Sequence, residues 1–272
     1  MSHPAALPTS PGRRLPGRLD AASTRVVAYA VAAASAGLGT VVLADGAGEH
    51  GDLAAHDPAV TDAVVSHRTA VLTVLAHAVT AVGSEVSIGL LTLALVSWLV
   101  VRRRDVATAA VVGGAMVVAA GLTLAVKHVV GRTRPPASVM MGAFDSAPSF
   151  PSGHTVFSTV FFGLVAGLLL RGSPQVTRRW LVVAVWAVLS AAIGASRLYL
   201  GYHWLTDVLA GWCLAVCVLA ATAATVVVVE RRRQTPARSG AQPYAGGSQS
   251  VAPGTAAGAI NRGEGSDARL AR

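Results

Sequence analysis

The chain has 272 residues, 53% of them hydrophobic and 13% charged, with a formal net charge of +9. Soluble domains carry about 25% charged residues, so this composition excludes an ordinary soluble fold and points to the membrane. It does not point to nucleic acid either, because the arginines stand in short clusters between apolar runs, with no basic face interleaved with aromatics.

Residues 1–24 are rich in Pro, Ala, Gly and Arg. They lack an apolar core followed by a small-residue cleavage site, so they read as a disordered tail and not as a cleavable signal peptide. A first membrane span is expected over about Val26 to Leu43. The segment Asp45 to Asp62 then carries Glu49, Asp52 and Asp57 and no Lys or Arg. From Ala59 to Val82, apolar residues such as Val64, Val71, Leu75 and Val79 mix with Asp62, His67, Arg68 and His77. That pattern predicts an amphipathic helix lying at the interface.

Gly83-Ser84-Glu85 opens a clean apolar run to Val101, and further runs follow over about Val106–Val126, Thr155–Leu170, Trp180–Ala195 and Val208–Val229. The stretch from His128 to Pro151 is rich in Pro, Ser and Gly and reads as irregular. Cys213 and Cys217, four apart inside the last run, lack disulfide geometry along one helix face and read as packing residues. After Arg233 the composition returns to Gly, Ser, Ala and Pro, a second disordered tail over 231–272. The fold class is therefore all-α: a polytopic membrane bundle over 25–230, with six transmembrane helices and an interfacial amphipathic helix.

Six spans put the arginine clusters at 13–25, 102–104, 171–179 and 231–238 on one side, which the positive-inside rule makes cytoplasmic along with both termini. Segments 44–85, 127–154 and 196–207 then share the extracytoplasmic face. Three polar clusters fall there. Lys127, the sole lysine of the chain, begins Lys-His-Val-Val-Gly-Arg-Thr-Arg-Pro135; basic residues on that face run against the topology rule and call for an anionic partner. Arg132 is a further candidate for that anion. Ser152, Gly153 and His154 open the fourth span, and a helix start with a hydroxyl and free N–H groups suits phosphate. In Ser196-Arg-Leu-Tyr-Leu-Gly-Tyr-His-Trp-Leu-Thr-Asp207, His203 and Asp207 share one face if the segment is helical. The carboxylate then fixes one imidazole nitrogen and leaves the other free.

This inventory fits phosphoryl transfer: Lys127, Arg134 and Arg197 with Ser152 and Gly153 bind phosphate, His203 oriented by Asp207 attacks phosphorus, and His154 serves as acid and then base. No cluster at metal-ligand spacing is present, so no cofactor is expected. His67, His77 and Glu85 could line a substrate entrance but read more simply as the ordinary polar residues of an interfacial helix, His128 as a cap or solvent contact, and Tyr199, Tyr202 and Trp204 as an interface belt.

The clusters Lys127 with Arg134-Pro135, Pro151-Ser152-Gly153-His154, and Ser196-Arg197 with His203 and Asp207 resemble, in order and spacing, the three signature motifs of the type 2 phosphatidic acid phosphatase and vanadium haloperoxidase superfamily. The resemblance covers about residues 59–229. It implies six spans, an exofacial site, the residue roles above, and a lipid phosphate or diphosphate substrate such as phosphatidic acid, phosphatidylglycerol phosphate or undecaprenyl diphosphate. A phosphotransferase with an acceptor other than water, a vanadate-dependent haloperoxidase and a non-catalytic lipid-phosphate binder are the competing readings. The partners expected are the substrate lipid and the bilayer, with no nucleic acid; the oligomeric state is not legible.

Overall fold

The structure, a computed structural model, describes residues 20–49, 53–172 and 175–234. Most of the two expected tails lies outside the described residues. Eight α-helices are present among them: α1 (Ala21–Glu49), α2 (Asp57–Ser66), α3 (Ala70–Val82), α4 (Glu85–Val101), α5 (Val106–Val130), α6 (Gly153–Leu170), α7 (Val176–Tyr199) and α8 (Leu205–Gln234). The ends of the long helices extend the expected spans: α1 already begins at Ala21, α5 carries Lys127 inside its last turn, and α8 includes Arg231–Arg233.

Helices α1, α5, α6, α7 and α8 are each long and apolar enough to cross a membrane, and α3 with α4 passes the same test as a pair bent by 42°. The stretch 59–82, expected as one interfacial helix, is two. Thr69 starts α3 afresh, its hydroxyl accepting from Leu72 N at 3.3 Å, which is a cap that ends one helix direction and begins another. Ser84 does the same for α4, accepting from Ser87 N at 3.1 Å. Of the polar residues that gave 59–82 its mixed pattern, His67 and Arg68 sit at the α2–α3 break, Asp62 lies within α2 and His77 within α3, while Val71, Val74 and Leu75 of α3 are exposed as on a lipid-facing helix.

The core lies where α4, α5, α6 and α8 meet, around Leu99, Val112, Ala119, Val156, Val160, Ala215 and Val218. Alanines in that set let the helix axes approach closely, which is how bundles gain packing where lipid removes the hydrophobic drive. α1 runs antiparallel along α8: Arg231 donates to Asp20 at 2.8 Å and to Ser23 at 2.7 Å, and further along, Gly39 and Gly37 face the sulfurs of Cys213 and Cys217. Both thiols are free and serve as packing groups.

Two glycines place the polar segments. A Cβ on Gly211 of α8 would stand 2.9 Å from Thr155 Cβ and 3.2 Å from the Ser152 carbonyl, so its absence brings α8 against the start of α6. The backbone N–H of Ser152 then donates to the Asp207 carbonyl at 3.1 Å. Gly201 has φ +77°, and a Cβ there would collide with the Val139 carbonyl oxygen; glycine alone takes that conformation without cost. Around this turn Arg68 donates to the carbonyls of Tyr199 at 2.7 Å and Val139 at 2.8 Å, clamping the end of α7 to the α5–α6 loop.

Candidate active site

The site is built on the start of α8. Asp207, fully buried in its first turn, uses Oδ2 to accept from Trp204 N at 2.9 Å and to face His203 Nδ1 at 3.3 Å. Its Oδ1 accepts from Arg132 Nη1 at 2.7 Å. On the other side of the ring, Arg134 Nη1 stands 3.2 Å from His203 Nε2. A guanidinium has no acceptor, so Nε2 carries the lone pair and Nδ1 carries the proton that Asp207 accepts. His203 lies in the turn before α8, not on the helix with Asp207 as expected; the pair forms because Asp207 reaches back over the helix start.

His203 is 2% exposed. Burial holds its pKa down to about 4, prevailing over the opposing pull of the Asp207 hydrogen bond and charge. The imidazole is therefore neutral at pH 7, which keeps the Nε2 lone pair available.

Arg134 is in contact with that atom, and Arg197 lies within electrostatic reach of the ring. Arg134 is fixed by the carbonyls of Ala147 and Tyr202, both at 2.8 Å, and by Asp145 at 2.7 Å. Lys127 donates to the Pro148 carbonyl at 2.5 Å. Arg197 is 6% exposed, donates to Thr80 Oγ1 at 3.0 Å and stacks 4.5 Å over the Tyr202 ring. Its Nε is buried without a partner among the described residues. His154 lies within electrostatic reach of Arg197, His203, Arg134 and Lys127. Three segments far apart in sequence thus converge on one small region.

The start of α6 is arranged differently from expectation in one respect. Ser152 is buried, its N–H is taken by the Asp207 carbonyl, and its Oγ accepts from Thr155 at 3.0 Å. Ser152 therefore keeps its hydroxyl proton as a donor, while the first N–H groups of the helix itself, from Gly153 onward, are the ones a helix start leaves free. Glu85 also stands here, its Oε1 2.6 Å from where a Cβ on Gly153 would lie. That places Glu85 at the site and not simply on an interfacial surface.

Arg132 is corrected. It does not reach outward to an anion: Nη1 binds Asp207 and Thr206 and Nη2 binds Asp57, each at 2.7 Å. The aromatic residues are corrected as well. The Tyr199 hydroxyl bonds Thr69 N at 2.9 Å, Tyr202 donates to Ala143 O at 3.0 Å, and Trp204 Nε1 donates to Thr133 O at 2.9 Å. They brace the loops of the site. His67 and His128 make local contacts to carbonyls four residues back, at 2.8 and 2.7 Å, and His77 is exposed. Sequence reasoning missed Asp57, Thr80 and Thr206; Asp57 before Pro58 carries no signal beyond that of an ordinary helix start.

Fold and site together define a multi-pass helical membrane protein with a buried histidine–aspartate pair ringed by cations at one end of the bundle. Residues 108–231, the segment that holds all three motifs, match the sequence model of the PAP2 superfamily. It is 31% identical over 96 residues to phosphatidylglycerophosphatase B of Bacillus subtilis (strain 168). That match covers 35% of this chain and 46% of the relative, so the aligned part is about half of that protein's length. The fold is similar to the crystal structure of a transmembrane PAP2 type phosphatidylglycerolphosphate phosphatase from Bacillus subtilis, with a TM-score of 0.64 and 22% identity over 76% of this chain and 98% of that one.

Proposed function

We propose that the protein is an integral membrane lipid phosphatase that hydrolyses a lipid phosphate or diphosphate through a phosphohistidine intermediate. The observation that carries this reading is the placement of the His203 ring between Asp207 Oδ2, 3.3 Å from Nδ1, and Arg134 Nη1, 3.2 Å from Nε2, from which the tautomer with a free Nε2 lone pair follows. The Nε2 lone pair attacks phosphorus and the bond from phosphorus to the lipid oxygen breaks. His154 gives that oxygen a proton. Water then attacks the phosphohistidine, its proton passes to His154, and the Nε2 lone pair returns to His203 as phosphate leaves.

Arg134, Arg197 and Lys127, with the Ser152 hydroxyl and the Gly153 N–H, neutralise the phosphoryl oxygens as the transition state forms. A phosphate arriving at Nε2 takes over the Arg134 N–H that the imidazole now accepts. The unpartnered Nε of Arg197 supplies a second donor of the same kind. The residues supplying charge are cations rather than carboxylates, so the chemistry as derived runs without a metal.

Lys127, His154 and Asp207 all stand at helix ends, where a headgroup meets water while its chains stay in lipid. The arginine clusters at 102–104, 171–179 and 231–233 lie at or just beyond the opposite helix ends, which supports an extracytoplasmic site and cytoplasmic termini. The relatives' names favour phosphatidylglycerol phosphate among the candidate lipids. The test is phosphate release by the purified protein in detergent and EDTA, comparing phosphatidylglycerol phosphate, phosphatidic acid and undecaprenyl diphosphate. Release that survives EDTA and vanishes in His203→Ala is expected; equal release from the variant, or none from any of the lipids, overturns the reading.

A further inference from the structure

Asp57 is 1% exposed, and every strong contact it makes leads to the catalytic pair. Oδ1 accepts from Thr206 N at 3.0 Å, and Oδ2 accepts from Thr206 Oγ1 at 2.5 Å and from Arg132 Nη2 at 2.7 Å. Asp57 begins α2, yet it caps α8, supplying from another helix the anion that a helix start favours. The other arm of Arg132 holds Asp207 Oδ1, and the guanidinium lies 5.6 Å over the Trp204 ring. A continuous line therefore runs Asp57, Arg132, Asp207, His203, Arg134, alternating in charge up to the imidazole.

A buried carboxylate–guanidinium–carboxylate triad is a poor way to gain stability, because apolar packing of similar volume usually serves as well or better. Its effect here is geometric. With Oδ1 held by Arg132, Asp207 has one oxygen left for the His203 ring and cannot turn away from it. Arg132 alone would also draw the Asp207 charge away from the imidazole, and Asp57 offsets that by sharing the same cation.

We propose that Asp57 and Arg132 are positioning residues for the His203–Asp207 pair, with Asp57 balancing the charge of Arg132 so that Asp207 stabilises the histidine. This rests on the reading of His203 as nucleophile. The other groups facing His203 are Arg134 from the α5–α6 loop, Arg197 from α7 and His154 from α6, with Lys127 of α5 and Glu85 of α4 acting on the same cations. None of these is altered by changes at Asp57 or Arg132.

The experiment compares Asp57→Asn, which leaves Arg132 and Asp207 as a buried neutral pair, with the double variant Asp57→Asn/Arg132→Gln, in which Asp207 keeps only uncharged partners, using the full chain in detergent. Read per folded molecule, kcat of Asp57→Asn is expected to fall about 10- to 100-fold, the range for removing a partner that orients a reacting group, with KM unchanged. Removing the negative charge lowers the proton affinity of His203, so the acid limb of the pH–rate profile moves down; removing Arg132 as well moves it back up, each by about 0.5 to 1 unit. Lower yield of folded protein with kcat, KM and acid limb unchanged in both variants overturns the proposal. Absence of phosphate release from the wild-type protein overturns the underlying phosphatase reading, and this inference with it.

Discussion

Arg134 Nη1 and His203 Nε2 stand 3.2 Å apart, so the lone pair proposed as nucleophile and a cation proposed to bind phosphate are already in contact. The same guanidinium reaches Ala147, Tyr202 and Asp145 at once. A lysine cannot reproduce that fork. Arg134→Lys is expected to lower kcat by about 100-fold or more, the scale of losing one oriented transition-state donor. Steady-state kinetics against a lipid phosphate check this.

The pH dependence follows from burial. As the proposed nucleophile His203 must be neutral to attack, and its pKa is held down to about 4. Activity is therefore retained as pH falls through the ordinary imidazole range near 6.5, and the limb of kcat/KM due to His203 lies below it. The linkage has the matching sign: the unfolded chain binds more protons between the two values, so the stability contributed by neutral His203 declines as pH falls across that window. A pH–rate profile paired with thermal unfolding at each pH measures both.

Much of this was legible in the sequence. The apolar runs mark the long helices, and the three motif clusters contain Lys127, Arg134, Ser152, Gly153, His154, Arg197, His203 and Asp207, which the structure brings to one end of the bundle. What was not legible depends on contacts across long sequence distances. Arg132 and Arg134 are chemically alike and two residues apart, yet one turns inward to Asp57 and Asp207 and the other toward His203. Tyr199 has the composition signature of an interface aromatic and becomes the brace for α3 because Thr69 lies opposite it. The break between α2 and α3 was hidden because its cap is a single threonine within an otherwise continuous pattern.

Gly201 tests the turn that carries His203. Gly201→Ala places a side chain at φ +77° and against the Val139 carbonyl, so a destabilisation of about 1–2 kcal/mol from the backbone alone is expected, with the collision adding to it. Thermal unfolding in detergent, compared with a Gly172→Ala control that meets no neighbouring atom at a similarly positive φ, separates collision from conformation.

Glu85 is the carboxylate beside Gly153 and in reach of Lys127, Arg134 and Arg197. If those cations bind phosphate as proposed, the Glu85 charge competes with the incoming anion for them. Glu85→Gln is expected to lower KM by about fivefold, equivalent to roughly 1 kcal/mol of screened repulsion, with the effect shrinking as salt rises. Substrate saturation curves at low and high ionic strength measure it.

In the proposed reaction the phosphoryl group passes through His203. The most direct measurement is rapid acid-free quenching of the enzyme during turnover of a radiolabelled lipid phosphate, followed by peptide mapping of the label. An alkali-stable, acid-labile phosphoryl group is expected on the peptide containing His203, absent from His203→Ala and longer-lived in His154→Ala. Label on another residue, or turnover in His203→Ala at the wild-type rate, would contradict it.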